Sequence, residues 1–537
     1  MWFQISQIRL PLEIDEKELK LVLASELQLP VQNIREVQIK KKSLDARHKK
    51  PAFIYTLIFQ LENTTYETTA ILEKHPNLTG YQPKETTLKM GVKAHSDYRP
   101  VVVGAGPAGL FAGLRLALAG LKPVIIERGD GIAERAERVN AFWSEGKLDP
   151  ESNIQYGLGG AGTFSDGKLT TRVKSPYLKD ILDILVAAGA PQDIRYWQYP
   201  HIGTDLLRKV VEKIQEQIVD NGGEICFRKR LTDIQVANHQ IISVMTTNED
   251  RNTASALRTD DVILAVGNSA RDIYRMLHSK GLNIQAKPFA IGVRIEHPQD
   301  LIDRSQYGEW AGHHKLGPAE YHLTYKHTLS GRGVYSFCMC PGGYVVGATS
   351  EINGVVTNGM SYHARDSKIA NAAVIVTVSS KDFGSEAPLA GLDFQIALEK
   401  KAFMYGGQNY HAPVQRLGDF FKKEKTARFF DLHPTYKPGV QEGNLWDVLP
   451  PEISQALADG IKYFGTQLKG YDWPEAVLTG VETRTSAPVR IIRGETLEAE
   501  GFQGIYPCGE GAGYAGGIVS SAIDGWKVAE AVISKYL

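Results

Sequence analysis

The chain has 537 residues, 43% hydrophobic and 23% charged; at about 150 residues per domain this is a globular protein of several units, which excludes a disordered chain or a disulfide-stapled miniprotein. The 61 Lys+Arg and 61 Asp+Glu cancel to a net charge of zero, which excludes a globally basic nucleic-acid binder and leaves a local basic patch open. No apolar run approaches the ~18 residues of a membrane helix, the start MWFQISQIRLPLEIDEKELK lacks the basic-then-apolar order of a signal peptide, and four cysteines make no disulfide framework, so a cytoplasmic protein is expected.

Residues 1–95 read as a separate unit. Phe3 to Leu10 alternate as a half-buried strand does. After Asp15, the stretch EKELKLVLASEL sets Leu19, Leu23 and Leu27 on one helix face, and Pro30 ends it. Asn33 to Lys41 and Ala52 to Leu61 read as strands. Strand, helix, strand, strand predicts a small α+β unit of ferredoxin-like type, and the polar stretch Tyr81 to Pro100 predicts a linker.

At Val101 the character changes to strand, glycine turn, helix, strand: VVVGAGPAGLFAGLRLALAGLKPVIIERG. Leu110 to Leu118 is apolar on nearly every face, which predicts a buried helix. Val262 to Val266 and Gly504 to Pro507 are further short apolar strands followed by glycine turns. Between them, residues 285–480 are β-rich, with many Tyr, His and Gly-Gly pairs. The expected fold is α/β: a Rossmann-like domain with a parallel sheet, discontinuous over 98–284 and 481–537, an inserted β-rich α+β domain over 285–480, and the N-terminal unit.

Gly104-Ala105-Gly106-Pro107-Ala108-Gly109 fits G-x-G-x-x-G in the strand-turn-helix context that the motif requires. Gly104 permits the tight turn, Gly106 the approach of a pyrophosphate, and Gly109 close packing of helix on strand. The helix N-terminus favours the diphosphate's charge. Glu127, 23 residues beyond Gly104, ends the second strand and is placed to bind adenosine ribose hydroxyls, with Arg128 beside it.

The C-terminal segment separates FAD from NAD. Gly504-Ile-Tyr-Pro-Cys-Gly509-Glu510-Gly-Ala-Gly-Tyr-Ala-Gly516-Gly517-Ile518 precedes an amphipathic helix, Ser520 to Ile533, and is similar to the closing segment of flavoproteins with two dinucleotide domains. There an acid takes the ribityl or phosphate side of FAD and the next helix points its N-terminus at the flavin; Glu510 holds the acid position. The glycine-dense stretch Tyr156 to Leu169, with Gly159, Gly160, Thr163, Asp166, Gly167 and Lys168, is suited to lie against an isoalloxazine ring, Lys168 compensating charge on reduced flavin. Gly267 follows the returning strand.

Together KKKSLDARHKK, VVVGAGPAGLFAGL, GLGGAGTFSDGKL, ILAVGNSARD, KPFAIGVRIEHP, YSFCMCPGGYVV and CGEGAGYAGGI resemble a bacterial family of FAD-dependent dehydrogenases, over nearly the whole chain. The resemblance implies a glutathione-reductase-type FAD fold with an inserted domain and an extra N-terminal domain; it supplies no substrate.

A flavin needs a second redox partner. No second G-x-G-x-x-G follows a strand, and Gly331-Arg332-Gly333 lacks the third glycine, so NAD(P)H remains only as a transient reductant, the alternative being a substrate that reduces FAD itself. Cys338-Met339-Cys340 is either a redox dithiol or a pair of small core residues; strand alternation would turn both sulfurs to one side. A zinc site would need a second close cysteine pair, so no metal is expected. Histidines 297, 313, 314, 322, 327, 363, 411 and 433 crowd the inserted region without a preferred acid or base, and Arg271 with Asp272 reads as an ion pair or helix cap. The basic run Lys40 to Lys50 reads as a solvated loop or a lip over the cleft, without the exposed aromatics of an RNA-binding sheet. The expectation is an FAD-dependent oxidoreductase moving hydride between a small-molecule substrate and flavin N5, with Lys168, Cys338 and Cys340 as catalytic candidates, and with no membrane or nucleic-acid partner. The alternatives are a flavin monooxygenase and a flavoprotein that binds RNA through its N-terminal unit.

Overall fold

The structure, a computed structural model, describes residues 2–47, 50–62, 74–82 and 98–537. At the N-terminus β1 (Trp2–Pro11), β2 (Ile34–Asp45), β3 (Ala52–Leu61) and β4 (Leu78–Tyr81) form an antiparallel sheet in the order β2-β3-β1-β4. That order is the one a ferredoxin-like unit has. The connection from β3 to β4 over 63–73 and most of the expected linker, 83–97, lie outside the described residues. Phe3, Ile5, Ile8 and Leu10 of β1 are buried under Leu19 and Leu23 of the helix Leu19–Glu26, so the two periodicities in the sequence meet as one small core. Asp15 accepts from the Lys17 N–H at 2.9 Å, and Glu18 reaches back to the Asp15 N–H, capping the first turn from both sides.

This unit is tied to the rest of the chain by backbone. Lys42 N–H donates to the Tyr196 carbonyl at 2.7 Å, and Gln198 N–H donates to the Lys42 carbonyl at 2.9 Å, so residues 196–198 extend the edge of β2. The Lys315 ammonium donates to the Leu12 and Ile14 carbonyls at 2.6 and 2.8 Å.

The chain then lays down β5 (Val101–Val103), β6 (Val124–Ile126), β7 (Glu224–Cys226), a three-stranded antiparallel sheet of β8 (Lys229–Ala237), β9 (Gln240–Asn248) and β10 (Thr253–Arg258), and β11 (Val262–Leu264). It continues with β12 (Ile284–Ala286), β13 (Phe289–Pro298), β14 (Thr324–Lys326), β15 (Gly333–Cys340), β16 (Tyr344–Gly347), β17 (Thr357–Met360), β18 (Ile369–Val378), β19 (Ala412–Arg416), β20 (Val440–Glu442) and β21 (Val477–Glu482). It returns through β22 (Val489–Ile491) to β23 (Ile505–Pro507).

β23-β11-β5-β6-β7 is a parallel Rossmann-like sheet, discontinuous in sequence because β23 comes from the C-terminus. The helix Pro107–Leu118 is buried from Ala108 to Ala117, as its all-round apolar sequence requires. It lies between the sheet and the C-terminal helix Ile518–Ser534; a Cβ on Gly525 would stand 2.0 Å from the Ala108 carbonyl oxygen. The second sheet runs β14-β15-β18-β13-β21-β19-β20 and is antiparallel except for the β19–β20 pair. Its interior strands β13 and β18 are almost continuously buried, and the helix Pro451–Gln467 contributes Ile453, Leu457, Ile461 and Phe464 to the same core.

The two sheet systems are clasped by a buried ion cluster. Glu399, on the helix Ala390–Tyr405, accepts from Arg271 at 2.6 and 2.9 Å and from Arg484 at 2.8 and 3.1 Å, with Thr483 Oγ1 at 2.7 Å. Arg271 opens the helix behind β11 and also meets Glu351 at 2.7 Å, while Asp272 pairs with Arg128 at 3.1 Å. The ion-pair reading of Arg271 and Asp272 is therefore what the structure contains. Burial pushes the Glu399 carboxyl up, but Arg271 and Arg484 outweigh it and hold it down at about 2. A depressed carboxyl contributes stability fully above its ordinary 4.5 and loses it as pH falls through about 2. Glu399→Gln leaves two buried guanidinium groups undercompensated, and a loss of about 3–5 kcal/mol is expected in urea unfolding at neutral pH. The gap between wild type and variant should narrow below pH 4.5; a gap constant down to pH 2 would contradict the assignment.

Candidate FAD site

A cavity of about 800 Å³ runs between the carboxyl ends of the parallel strands and the face formed by β14, β15 and β17. Its floor at one end is the turn after β5. Gly104 has φ +99°, and a Cβ there would stand 2.4 Å from the Ala265 carbonyl oxygen. Gly106 caps the helix Pro107–Leu118 without a side-chain cap, so the helix N-terminus faces the cavity. The nearest atom to a Cβ on Gly106 is the Cα of Gly160 at 3.8 Å, so the space over this glycine is open to a ligand's phosphates. Gly267 and Gly516 likewise have no atom within 4 Å of an added Cβ, and Gly517 only Ser520 Oγ at 4.0 Å. The Gly517-capped helix Ile518–Ser534 brings a second N-terminus to the far end of the same cavity. Two helix starts, a glycine floor and an acid on β6 are the elements that a dinucleotide with two charged phosphates requires, and the residues present fit FAD.

Glu127 borders the cavity, yet its carboxylate is already engaged. Oε2 accepts from Ala105 N–H at 2.7 Å, and Oε1 from Gly129 and Gly157 N–H, both at 2.9 Å. It therefore joins the β5 turn, the end of β6 and the loop over 156–169, a role its place in the motif did not announce. Arg135 does the complementary work. Fully buried, it donates to the carbonyls of Asn153, Ile154, Leu158 and Gly160 at 2.7 to 2.9 Å. Sequence reasoning missed Arg135, because a lone arginine on an amphipathic helix carries no signal of burial.

Of the expected cofactor residues, Gly104, Gly106, Pro107, Ala108, Glu127, Arg128, Gly160, Asp166, Gly167, Lys168, Gly267, Glu510, Gly516, Gly517 and Ile518 border the cavity. Gly109, Gly159, Thr163 and Gly509 do not border the cavity, and Gly109 packs its helix against the β5 turn. A Cβ on Gly109 would collide with the Gly104 carbonyl at 1.8 Å, and one on Gly159 with Thr163 Oγ1 at 2.1 Å. Thr163 is buried with its hydroxyl 3.3 Å from the Leu158 carbonyl, and Gly509 N–H donates to Asp524 at 2.8 Å. These four shape the loops that carry the wall.

At the far end, Lys168 and Asp166 belong to a cluster with Arg365 and Glu320. Arg365 donates to Asp166 at 2.6 and 3.1 Å and to Glu320 at 2.6 Å, while the Lys168 ammonium lies 3.1 Å from Glu320 and 3.4 Å from Asp166. Burial opposes the charge on Lys168, but Asp166 and Glu320 raise its pKa and keep it a cation. Burial alone would also raise Asp166, yet Lys168 and Arg365 hold it well below the usual carboxylate range. Glu510 is different: burial pushes it up to about 7 against the Asn268 amide, 2.7 Å away, and the more distant Lys287.

Among the histidines of the inserted region, His322 borders the cavity. His297 is buried with Nε2 2.7 Å from the Tyr471 carbonyl. Cys338 borders the cavity; Cys340 is fully buried behind it and does not. The β15 residues Tyr335 and Phe337, with Thr324, Asn358 and Glu482, complete the roof. The register of the second sheet brings them there.

Glu127→Gln places an amide N–H₂ against a backbone N–H and disrupts the junction of the two loops. We expect apoprotein titrated with FAD to show affinity weakened at least about tenfold, the equivalent of one lost charged hydrogen bond of ~1.4 kcal/mol. Unchanged affinity would mean the carboxylate is not what shapes the site.

Comparison with known proteins agrees with this geometry. A family described as FAD binding domain matches residues 99–157, one described as FAD-dependent protein, C-terminal domain-like, matches 288–485, and a domain of unknown function matches 3–60. A Clostridium beijerinckii protein named only "Uncharacterized protein" is 45% identical over all of this chain and 99% of its own length. Among solved structures, glycine oxidase from Bacillus cereus is 11% identical, covering 82% of this chain and 96% of that one, with a TM-score of 0.33. Glycerol-3-phosphate dehydrogenase from Bacillus halodurans, complexed with FAD, is also 11% identical, covering 82% and 64%, with a TM-score of 0.33. The chain belongs to the same family as the clostridial protein, a family of FAD-dependent proteins.

Proposed function

We propose that this FAD-dependent oxidoreductase moves hydride between a small-molecule substrate and flavin N5, at the end of the cavity where Lys168 stands. The observation that carries the reading is one continuous cavity joining the glycine floor around Gly106 to the partly buried cation Lys168, roofed by the second sheet. Bound FAD supplies the hydride-accepting ring. The protein's own groups do the rest. The helix start at Gly106 and its free N–H groups hold the diphosphate, and the helix start at Gly517 faces the flavin end. Glu127 and Arg135 fix the loops against which the cofactor lies. Lys168, kept charged by Asp166 and Glu320, opposes the negative charge that builds on hydride transfer.

The electron donor is either NAD(P)H, docking transiently, or the substrate itself. Support for a small-molecule partner over nucleic acid comes from the basic run. Lys42 pairs with Glu16 and lies over the rings of Phe53, Tyr55 and Trp197 at 4.6, 5.6 and 5.5 Å. Phe53 and Tyr55 are themselves buried, so neither is offered as a base-stacking platform. A cytoplasmic, non-membrane setting fits the four free cysteines and, among the described residues, the lack of a helix long and apolar enough to cross a membrane.

Anaerobic titration of the flavin spectrum with NADH and then NADPH tests the donor. Rapid bleaching by either nucleotide identifies an NAD(P)H-dependent enzyme; bleaching by neither turns the search to metabolites that reduce the flavin directly. With whichever donor serves, Lys168→Met should slow flavin reduction at least about tenfold while leaving FAD content near wild type, the loss of ~1.4 kcal/mol of charge stabilisation. A rate unchanged by the substitution would remove Lys168 from the mechanism.

A further inference from the structure

The C-x-C pair on β15 is placed in a way that simple strand alternation does not give. β15 pairs with β18 in register from Val334↔Val376 to Phe337↔Ala373, but the next pair is Cys340↔Asn371. Three steps on β15 face two on β18, so one extra residue bulges from the strand. Cys338 sits at the bulge with φ +44°, a left-handed conformation that is costly for a residue other than glycine and that concentrates where strain serves a site. Without the extra residue Cys338 would share the face of Val334, in the main core of the second sheet. With it, Met339 takes that core position and Cys338 is released to the cavity wall. This corrects the expectation of an unbroken strand.

The surroundings of the pair are those of a reactive dithiol rather than of two packed hydrophobes. The Cys340 thiol donates to the Cys338 carbonyl at 3.4 Å, which holds the two residues together across the bulge. Arg294, a fully buried cation from β13, donates to the Cys338 carbonyl at 2.6 Å and to Cys340 Sγ at 3.6 Å. Its carboxylate partner is Glu482, at 3.0 Å, whose pKa burial raises. The Cys340 hydrogen bond, with Arg294 and Lys168 adding positive charge, eases loss of the first proton from Cys338, while the proton on Cys340 is held more tightly. A thiolate and a thiol held two residues apart at a bulge, on one buried arginine, are the starting state for dithiol chemistry. The remaining cysteines differ: Cys508 is buried beside Asp524, and Cys226 sits on β7 beside Glu224.

We propose that Cys338 and Cys340 are a redox-active dithiol that exchanges two electrons with the flavin by forming and breaking an intrachain disulfide. For its electron route the proposal rests on the FAD reading above. In the oxidising direction the Cys338 thiolate and Cys340 thiol give up two electrons and one proton as the Sγ–Sγ bond forms. Oxidised flavin takes up both electrons and that proton and becomes the anionic reduced form, so charge and hydrogen balance without another reagent. Lys168, on the cavity wall and close enough to act on Cys338, would stabilise both the thiolate and the reduced flavin.

The test reads the sulfurs directly. Protein oxidised with diamide, then alkylated with iodoacetamide and mapped by mass spectrometry, should yield a peptide in which Cys338 and Cys340 are unalkylated and joined, lighter by two hydrogens. Dithionite added anaerobically should restore two alkylatable thiols at least about tenfold faster with FAD bound than in apoprotein, because the electrons pass through the flavin. The FAD-loaded, oxidised protein should take up about four electrons per flavin, and Cys340→Ser about two, since each couple carries two. Two free thiols after diamide, equal reduction with and without FAD, or the same electron count in wild type and Cys340→Ser would each overturn the proposal. If the variant does not fold, the comparison of wild type with and without FAD still decides. Failure of the FAD reading itself looks different: no flavin spectrum forms, whatever the sulfurs do.

Discussion

Everything in the site depends on two buried charged groups that bind backbone. Glu127 gathers N–H groups from the β5 turn, the end of β6 and the glycine loop; Arg135 gathers the Leu158 and Gly160 carbonyls of the same loop and the Asn153 and Ile154 carbonyls just before it. Buried peptide groups without partners cost about 1–3 kcal/mol each, so a loop this rich in glycine would not hold a defined shape without them. The anion meets donors and the cation meets acceptors, and between them they turn a flexible stretch into a rigid wall. That wall, with the helix starts at Gly106 and Gly517, is what makes the cavity specific for an extended, doubly charged cofactor.

The second constraint is the joint between the sheet systems. The parallel sheet supplies the floor and the β14–β15 edge supplies the roof, so the distance between them sets the space left for substrate. Glu399 with Arg271 and Arg484 fixes that distance by charged contacts in the interior, where a misfit is costly. The N-terminal unit is joined by backbone pairing at Lys42 and by Lys315, away from this joint. Its basic run serves partly to make that attachment.

Much of this was legible in the sequence, and the reason is locality. The turn at Gly104, the buried helix behind it and the closing segment at Glu510 are each specified within a dozen residues or so, by φ requirements, apolar faces and caps. What could not be read depends on distant partners. Gly109, Gly159, Thr163 and Gly509 match the motif's pattern, but only three-dimensional packing shows that they do not border the cavity. Alternation put Cys338 and Cys340 on one face; the bulge is set by the register of β15 against β18, which no single strand encodes. Arg135, Arg294 and Arg365 are ordinary arginines in sequence and become buried hubs only through groups distant along the chain.

The account makes one claim on which the others stand: the cavity between the two sheets is an FAD site. The most direct measurement is the stoichiometry and identity of flavin released on denaturing the purified, FAD-reconstituted protein, with E127Q in parallel. The account predicts FAD, rather than FMN, at about one per chain in wild type and a clearly lower content in the variant. Protein that retains no flavin after reconstitution, or that binds it equally well without the Glu127 carboxylate, would contradict the account.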